Sequence, residues 1–398
     1  MKLLLKIGYV ALPVALVFHF LSGRFGEGVR HWEPLVTFVL SGIAIIPLAH
    51  LMGEATGQLS VRTGPTLGGL LNATFGNAAE LIIAIIAMTK GLNDVVKASL
   101  TGSILGNLLL VSGASMLVGG WKREKQVFSK EGAQTNSAML VVAVVAMLFP
   151  AVFDFANHNV DKPLLKHQEE AISIGASVVV LAVYLMGLLF TLRTHRHVFS
   201  SGPGESPEGP VGVESHWSVK RSVGALLLAS VLTAVVAELL VGSVEQVGES
   251  LHWNPIFVGV ILLAIFGNAA EQSTAIILSR KGDMETAMTI TYQSSLQIAL
   301  FTTPFLVLLS AVLTGLGVVK HPPLDLFFSP MEVAAVFLSV AIITVVALNG
   351  ETNWFEGAML LAVYAILGIV MFHIPNEGGG GYHEGGPGSG GKVVEVVH

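Results

Sequence analysis

The chain has 398 residues, 53% of them hydrophobic and only 12% charged, with a formal net charge of -6 and a mean hydropathy of +0.72. A soluble domain carries about 25% charged residues, so the composition excludes a large soluble fold and describes a polytopic membrane protein. Cysteine is absent, which excludes a disulfide framework and thiol chemistry, and the modest charge gives no basis for nucleic-acid binding.

Apolar runs that meet the ~20-residue spanning criterion are expected as helices at 4–22, 35–53, 66–89, 97–119, 135–154, 169–191, 221–244, 255–279, 285–313, 330–349 and 354–373. Lys2 and Lys6 precede the first run in the manner of a signal peptide. The bulky Phe18-His19-Phe20-Leu21 offers no small-residue cleavage site, so this run is expected to be a retained helix. The second run carries His50 and is followed by Glu54. The third opens after Pro65, a residue suited to a first helical turn, and contains Phe75-Gly76-Asn77-Ala78-Ala79-Glu80. Ser103 and Asn107 lie four apart on the fourth. The longest connection, 192–220, has the flexible composition of Ser200 to Pro210. Beyond it, Glu238 lies near the end of the seventh run. The eighth opens at Pro255 and contains Phe266-Gly267-Asn268-Ala269-Ala270-Glu271, and the ninth carries Ser294, Ser295 and Gln297. The Gly-rich tail reads as disordered. The expected organisation is therefore an N-terminal helix (1–30), a first five-helix repeat (31–191), a linker (192–220), a second five-helix repeat (221–373) and a tail (374–398).

The hexapeptide is repeated letter for letter, and Ser103 and Ser294 each follow the repeated glutamate by 23 residues. A repeat of five helices, an odd number, inserts the second half upside down. The two glutamate helices then enter from opposite faces and can meet near the midplane, the plan of inverted-repeat transporters. On the N-terminus-inside topology, 13 of the 21 Lys and Arg residues fall on the inner side and 8 on the outer, which predicts a cytoplasmic N-terminus.

An ionisable residue at mid-membrane depth is costly and marks a functional site by default. Glu80 and Glu271 facing one another would make a hard, anionic, oxygen-only site. Asn77 and Asn268, each three residues before its glutamate, share its helix face. Oxygen ligands favour Ca²⁺, Mg²⁺ or Mn²⁺ over Zn²⁺ or Cu⁺, and six to eight oxygens at flexible spacing suit Ca²⁺. Burial and a like-charged neighbour both penalise an ionised carboxylate, so such a site should hold protons when empty and release them to a cation. Competition of that kind suffices for antiport if the site faces each side in turn. Two roles are open to the asparagines, ligand or interhelical hydrogen bond. Ser103 and Ser294 can contribute oxygens or bond their own helix carbonyls. Glu54, Glu238 and His50 are candidate vestibule or gating groups.

The run Gly68 to Ile82, and its continuation Gly102-Ser103-Ile104-Leu105-Gly106-Asn107-Leu108-Leu109, resemble the first signature of the calcium/proton exchangers, within the calcium/cation antiporter superfamily. Gly267-Asn268-Ala269-Ala270-Glu271 and Ser294-Ser295-Leu296-Gln297 resemble the second. The resemblance covers nearly the whole chain. It implies an all-α integral membrane fold of about eleven helices, one extra N-terminal helix plus two inverted five-helix repeats. It further implies proton-driven Ca²⁺ export, with Mn²⁺ a second candidate cation, across what is expected to be a prokaryotic inner membrane. Glu80 and Glu271 would then bind cation and protons, with Asn77, Asn268, Ser103, Asn107, Ser294 and Gln297 in support. The family commonly has His directly after the second glutamate, where this chain has Gln272. The partners implied are Ca²⁺, H⁺ and the lipid bilayer, with no cofactor. Two alternatives are a sodium-coupled calcium exchanger, which the hexapeptides disfavour, and a divalent-cation channel, whose filter would ordinarily be a symmetric ring. No HExxH or nucleophile elbow points to an enzyme.

Overall fold

The computed structural model describes residues 2–22, 32–63, 68, 71, 74–157, 162–194 and 217–374. Pro65, most of the 192–220 linker and the tail after Ile374 lie outside the described residues. The helices are α1 (Lys2–Ser22), α2 (Glu33–Thr63), α3 (Ala78–Thr89), α4 (Asn93–Gly120), α5 (Lys130–Ala156), α6 (Lys162–Leu189, continued by Phe190–Thr194), α7 (Val219–Leu251), α8 (Val258–Lys281), α9 (Met284–Gly315), α10 (Pro330–Ala347) and α11 (Trp354–Phe372). Nine of these described helices are long and apolar enough to cross a membrane, and α1 and α3 supply shorter apolar segments, Leu5–Phe20 and Ala78–Thr89. An all-helical solution follows from the solvent. Backbone groups without water must be satisfied within each segment, which a helix does alone.

Local chemistry sets the helix ends. Ser129, Ser218 and Asp283 cap α5, α7 and α9 through side-chain oxygens that accept from Gly132, Arg221 and Thr286 N–H. Reciprocal capping boxes, Ser329 with Glu332 and Asn353 with Glu356, start α10 and α11. Gly282, at φ 98°, ends α8 in the left-handed region where a side chain would be strained. Helices α2 and α7 run well past the expected 35–53 and 221–244. Their second halves are polar but contain no proline, so hydropathy ends before the helix does. The 31 residues of α2 span about 46 Å at 1.5 Å per residue, more than the ~30 Å hydrocarbon core.

Contacts between loops sort the molecule into two faces. Asn93 at the start of α4 donates to the Pro322 carbonyl at 3.1 Å, and Lys97 pairs with Asp325 at 2.5 Å. The α3–α4 and α9–α10 connections therefore share one face. Past the other end of α4, Arg123 donates to the Arg280 carbonyl at 3.4 Å, and Lys125 pairs with Glu351 at 2.7 Å. There a two-stranded antiparallel clip, β1 (Gln126–Val127) with β2 (Glu351–Thr352), ties the α4–α5 and α10–α11 connections. Helix α3 thus ends on one face and α8 on the opposite one. The two signature helices are antiparallel, as an inverted repeat requires.

Helices α2 and α7 lie along one another with α1 packed on α2, while α4 crosses α8 and α11 in the interior. Small residues allow the interior crossings. A Cβ on Gly102 would sit 2.0 Å from the Val260 carbonyl oxygen, and one on Gly113 would sit 2.9 Å from the Gly357 carbonyl. Both α4 and α9 switch to π-helical hydrogen bonding at equivalent places, Gly106–Val111 and Ile298–Thr302, a local rearrangement often found at functional sites. The α4–α8 crossing has a direct consequence. Gly102→Val forces the two backbones apart and should destabilise the fold by about 1–3 kcal/mol, the usual range for overpacking. Gly224→Ala, on α7 where no atom lies within 4 Å, should leave the melting temperature unchanged or slightly raised; thermal unfolding in detergent compares the two.

Candidate cation site

Helix α3 begins its regular turns only at Ala78, and Asn77 is its N-terminal boundary residue. Glu80 therefore stands in a first helical turn, where the exposed N–H groups and the helix dipole favour negative charge. Asn77 does not cap the helix with its side chain. That side chain instead reaches across the molecule, donating to the Ser294 carbonyl at 3.3 Å and accepting from Ser294 Oγ at 3.3 Å. The second repeat mirrors the contact. Asn268 Nδ2 donates to Ser103 Oγ at 2.8 Å and to the Ala264 carbonyl at 3.0 Å. Each asparagine of one repeat is thus bonded to the serine of the other. Asn107, in the π-helical segment of α4, joins the two pairs, donating to Ser294 Oγ at 2.8 Å and to Asn268 Oδ1 at 3.5 Å.

The two glutamates flank this network. Glu80 is 9% exposed and Glu271 is half-buried, and Glu80 packs against Gly267, one turn before Glu271 on α8. Room for them comes from the glycine of the motif: a Cβ on Gly267 would lie 3.1 Å from Glu80 Cγ and 3.4 Å from its Oε1. Glu271 lies one turn beyond Gly267 on α8, on the same helix face as that glycine. Glu80 Oε1 and Glu271 Oε2 are buried without any hydrogen-bond partner. A buried carboxylate oxygen with no donor is expensive, so these two atoms are the natural places for a proton or a cation. Among the described residues there is no cluster of three or more His, Cys, Asp or Glu. The further oxygens within the network are the amides and hydroxyls of Asn77, Asn268, Asn107, Ser103 and Ser294, a hard donor set suited to Ca²⁺ once water completes it.

The remaining expected groups divide. Gln297 is buried on α9, one turn beyond Ser294. Gln272 is half-buried, and its Nε2 lies 3.7 Å from where a Cβ on Gly106 would be, against α4 rather than in the asparagine–serine network. His50 is half-buried and Glu54 exposed on α2, and neither forms a hydrogen bond or ion pair with Glu80 or Glu271. Glu238, exposed on α7, pairs with Lys90 at the end of α3 at 2.7 Å. Because α2 and α7 are longer than hydropathy indicates, both acids lie inside helices rather than at their ends.

Several interior polar groups escaped the sequence reading. Ser112 donates to the Asn107 carbonyl and contacts Thr291 Oγ1, each at 3.1 Å, bracing the network from behind. Ser137 meets Tyr292 Oη at 3.3 Å. Glu332, 3% exposed, accepts from Thr101 Oγ1 at 3.4 Å besides closing its capping box. The Ser-x-x-Glu capping pattern was its available signal, but a capping pattern says nothing about depth.

The two hexapeptides are identical in sequence but not in packing. Phe266 lies over Gly42 of α2 and makes an edge contact with Phe38 at 5.8 Å between ring centroids. Phe75 is 38% exposed. One signature is covered by a long helix where the other is open.

A Ca²⁺/H⁺ antiporter of Aphanothece halophytica is 39% identical over 374 residues, covering 92% of this chain and 95% of its own. The Ca²⁺/H⁺ antiporter ChaA of Bacillus subtilis (strain 168) is 41% identical over 345 residues, 86% of this chain and 94% of its own. The structure of native YfkE superposes with a TM-score of 0.75 at 35% identity, over 93% of this chain and 100% of that one. The crystal structure of the H⁺/Ca²⁺ exchanger CAX, at 14% identity, shares the fold, with a TM-score of 0.64 over 93% of this chain and 91% of that one. The pattern of the sodium/calcium exchanger proteins matches residues 33–193 and 221–372, the two helical halves on either side of the linker, and the chain belongs to that family.

Proposed function

We propose that this protein is a secondary active antiporter that exchanges Ca²⁺ for H⁺ at a midplane site formed by Glu80 and Glu271. The observation that carries the reading is the pair of buried carboxylate oxygens without partners, one on each of two antiparallel helices. An empty site holds protons on these oxygens because neither burial nor mutual repulsion tolerates two charges. A divalent cation reverses the balance, since it neutralises both carboxylates at once. Two carboxylates hold at most two protons, so the exchange is electroneutral, two protons for one Ca²⁺. The names of the full-length relatives, Ca²⁺/H⁺ antiporters, support the proton-coupled reading over sodium coupling.

Alternating access needs a moving part, and the long pair α2 and α7 is the candidate. The cover that Phe266 finds on α2, and that Phe75 lacks, is the kind of asymmetry such a motion would exchange between the repeats. Lys90–Glu238 joins the end of α3 to α7, and its making and breaking would accompany the motion. Glu54 and His50 line the approach along α2. The protein resides in a prokaryotic inner membrane with its N-terminus in the cytoplasm.

Purified protein in liposomes should take up Ca²⁺ when the lumen is acid, and a sodium gradient alone should drive nothing. Glu80→Gln and Glu271→Gln should each reduce this uptake to background with normal insertion. Near-normal flux in either variant would remove that residue from the site. The crossed network generates a separate expectation. Asn268→Ala strands Ser103 and removes one of the two acceptors of Asn107, which should destabilise the protein by about 1–3 kcal/mol and weaken Ca²⁺ binding. Combined with Ser103→Ala, the losses should add to clearly less than the sum, a coupling that a double-mutant cycle on thermal unfolding measures.

A further inference from the structure

A cavity of about 240 Å³ lies between α5, α6 and α9, and none of its lining residues belongs to α2, which carries His50 and Glu54. At ~30 Å³ each it has room for about eight waters. Its floor is a polar stripe on α9: Glu285, Thr289, Gln293 and Gln297 recur every four residues, so they share one helix face. The stripe covers about 18 Å at 1.5 Å per residue. It begins at Glu285, beside the α5 N-terminus, and ends at Gln297, one turn from Ser294. Asn136 on α5 and Thr191 on α6 face it from the opposite wall.

Four polar residues in register along a membrane helix are costly unless something satisfies them. Gln297 and Asn136 are each 7% exposed, and neither they nor Gln293 make a side-chain hydrogen bond among the described residues. Their buried amides are turned to the cavity, and water is what that space can offer them. The first repeat lacks the stripe. With equivalent positions 191 residues apart, as Phe75 and Phe266 are, Thr289, Gln293 and Gln297 correspond to Ala98, Gly102 and Gly106. Ala98 and Gly102 are pressed against Gly259 and Val260 of α8. The polar side chains are therefore not a by-product of the repeat.

The geometry points to a hydrated proton route, separate from the cation's path, that reaches Glu271 through Gln297 and Ser294. This deepens the Ca²⁺/H⁺ reading and rests on it. The cavity suits protons better than Ca²⁺. Its one carboxylate, Glu285, already accepts from the Ser129 backbone N–H, and the other titratable groups lining it are Tyr184 and Tyr292. A cation needing six to eight oxygens with anionic charge finds too little here. Gln297 does not itself relay a proton. It holds the water that accepts the proton released by the Glu271 carboxyl when the cation arrives; the replacement proton comes from the opposite face, where the cation leaves.

The absence of native cysteine makes the test direct. Leu192→Cys, on the apolar wall of the cavity, is reconstituted and treated with a charged, water-soluble methanethiosulfonate reagent. Leu188→Cys, one turn away on the same wall, serves if that variant fails to fold. The thiol should react, and the added group should slow pH-driven Ca²⁺ uptake by about tenfold or more, while Ca²⁺/Ca²⁺ exchange at equal pH, which moves no proton, stays within about twofold. An unreactive thiol would show a lipid-filled or dry cleft and overturn the proposal. So would an equal fall in both modes, which would make the cavity the cation's path, or no change in either after complete labelling. Absence of pH-driven uptake in the unlabelled protein, with Ca²⁺ exchange intact, would instead overturn the function proposed above.

Discussion

Two carboxylates of like charge, held close together in a low-dielectric interior, cannot both remain ionised and unpartnered. The rest of the structure is arranged around that constraint. Glu80 sits at a helix start, where backbone dipoles lessen the cost of its charge. The glycine of the opposite motif, Gly267, gives its side chain space. The amides and hydroxyls around the pair are committed to one another through the crossed asparagine–serine bonds and Asn107, while one oxygen of each carboxylate is left without a donor. A network fully satisfied in this way is rigid. The two free oxygens are then the only members of the proposed site whose needs vary with what occupies it.

Inversion of the repeats is what brings the two acids together, and departures from symmetry give the site a direction. The crossed pairs join equivalent residues, although Ser294 Oγ donates to Asn77 where Ser103 Oγ accepts from Asn268, and the π-helical segments that follow Ser103 and Ser294 are likewise equivalent. Phe75 and Phe266 are not equivalent in packing, and neither are the stripes Ala98-Gly102-Gly106 and Thr289-Gln293-Gln297. Identical elements thus rest in different surroundings on the two sides of one site. A transporter that visits two states needs such a difference, because a molecule symmetric in every contact would have no preferred side to open.

Much of this was legible before any coordinates. An exact hexapeptide repeat, a repeat unit of five helices (an odd number) and the equal Glu-to-Ser spacing were enough to place Glu80, Glu271, Asn77, Asn268, Ser103 and Ser294 near one another. The exchange of partners between repeats was not legible, because a helix-by-helix reading sees Asn77 as a neighbour of Glu80 and not of Ser294. Glu54 and Glu238 looked like a matched pair at helix ends only because hydropathy stops where polarity begins. The helices themselves continue to Thr63 and Leu251. The cavity stripe was present in the sequence as Glu285, Thr289, Gln293 and Gln297, but the first three alone read as ordinary polar surface positions and Gln297 only as a support of the cation site. Its meaning depends on the gap that α5 and α6 leave beside it.

The central claim is that cation and protons compete for the same two oxygens, and Ca²⁺ binding to the purified protein tests it most directly. Titration calorimetry in buffers of different ionisation enthalpy gives the number of protons released per Ca²⁺ bound. At a pH where the empty site is protonated, the account predicts a release approaching about two protons per Ca²⁺, falling toward about one in Glu271→Gln if that variant still binds. Ca²⁺ binding with no proton release at any pH would show that the two ligands occupy different groups, and would contradict the account.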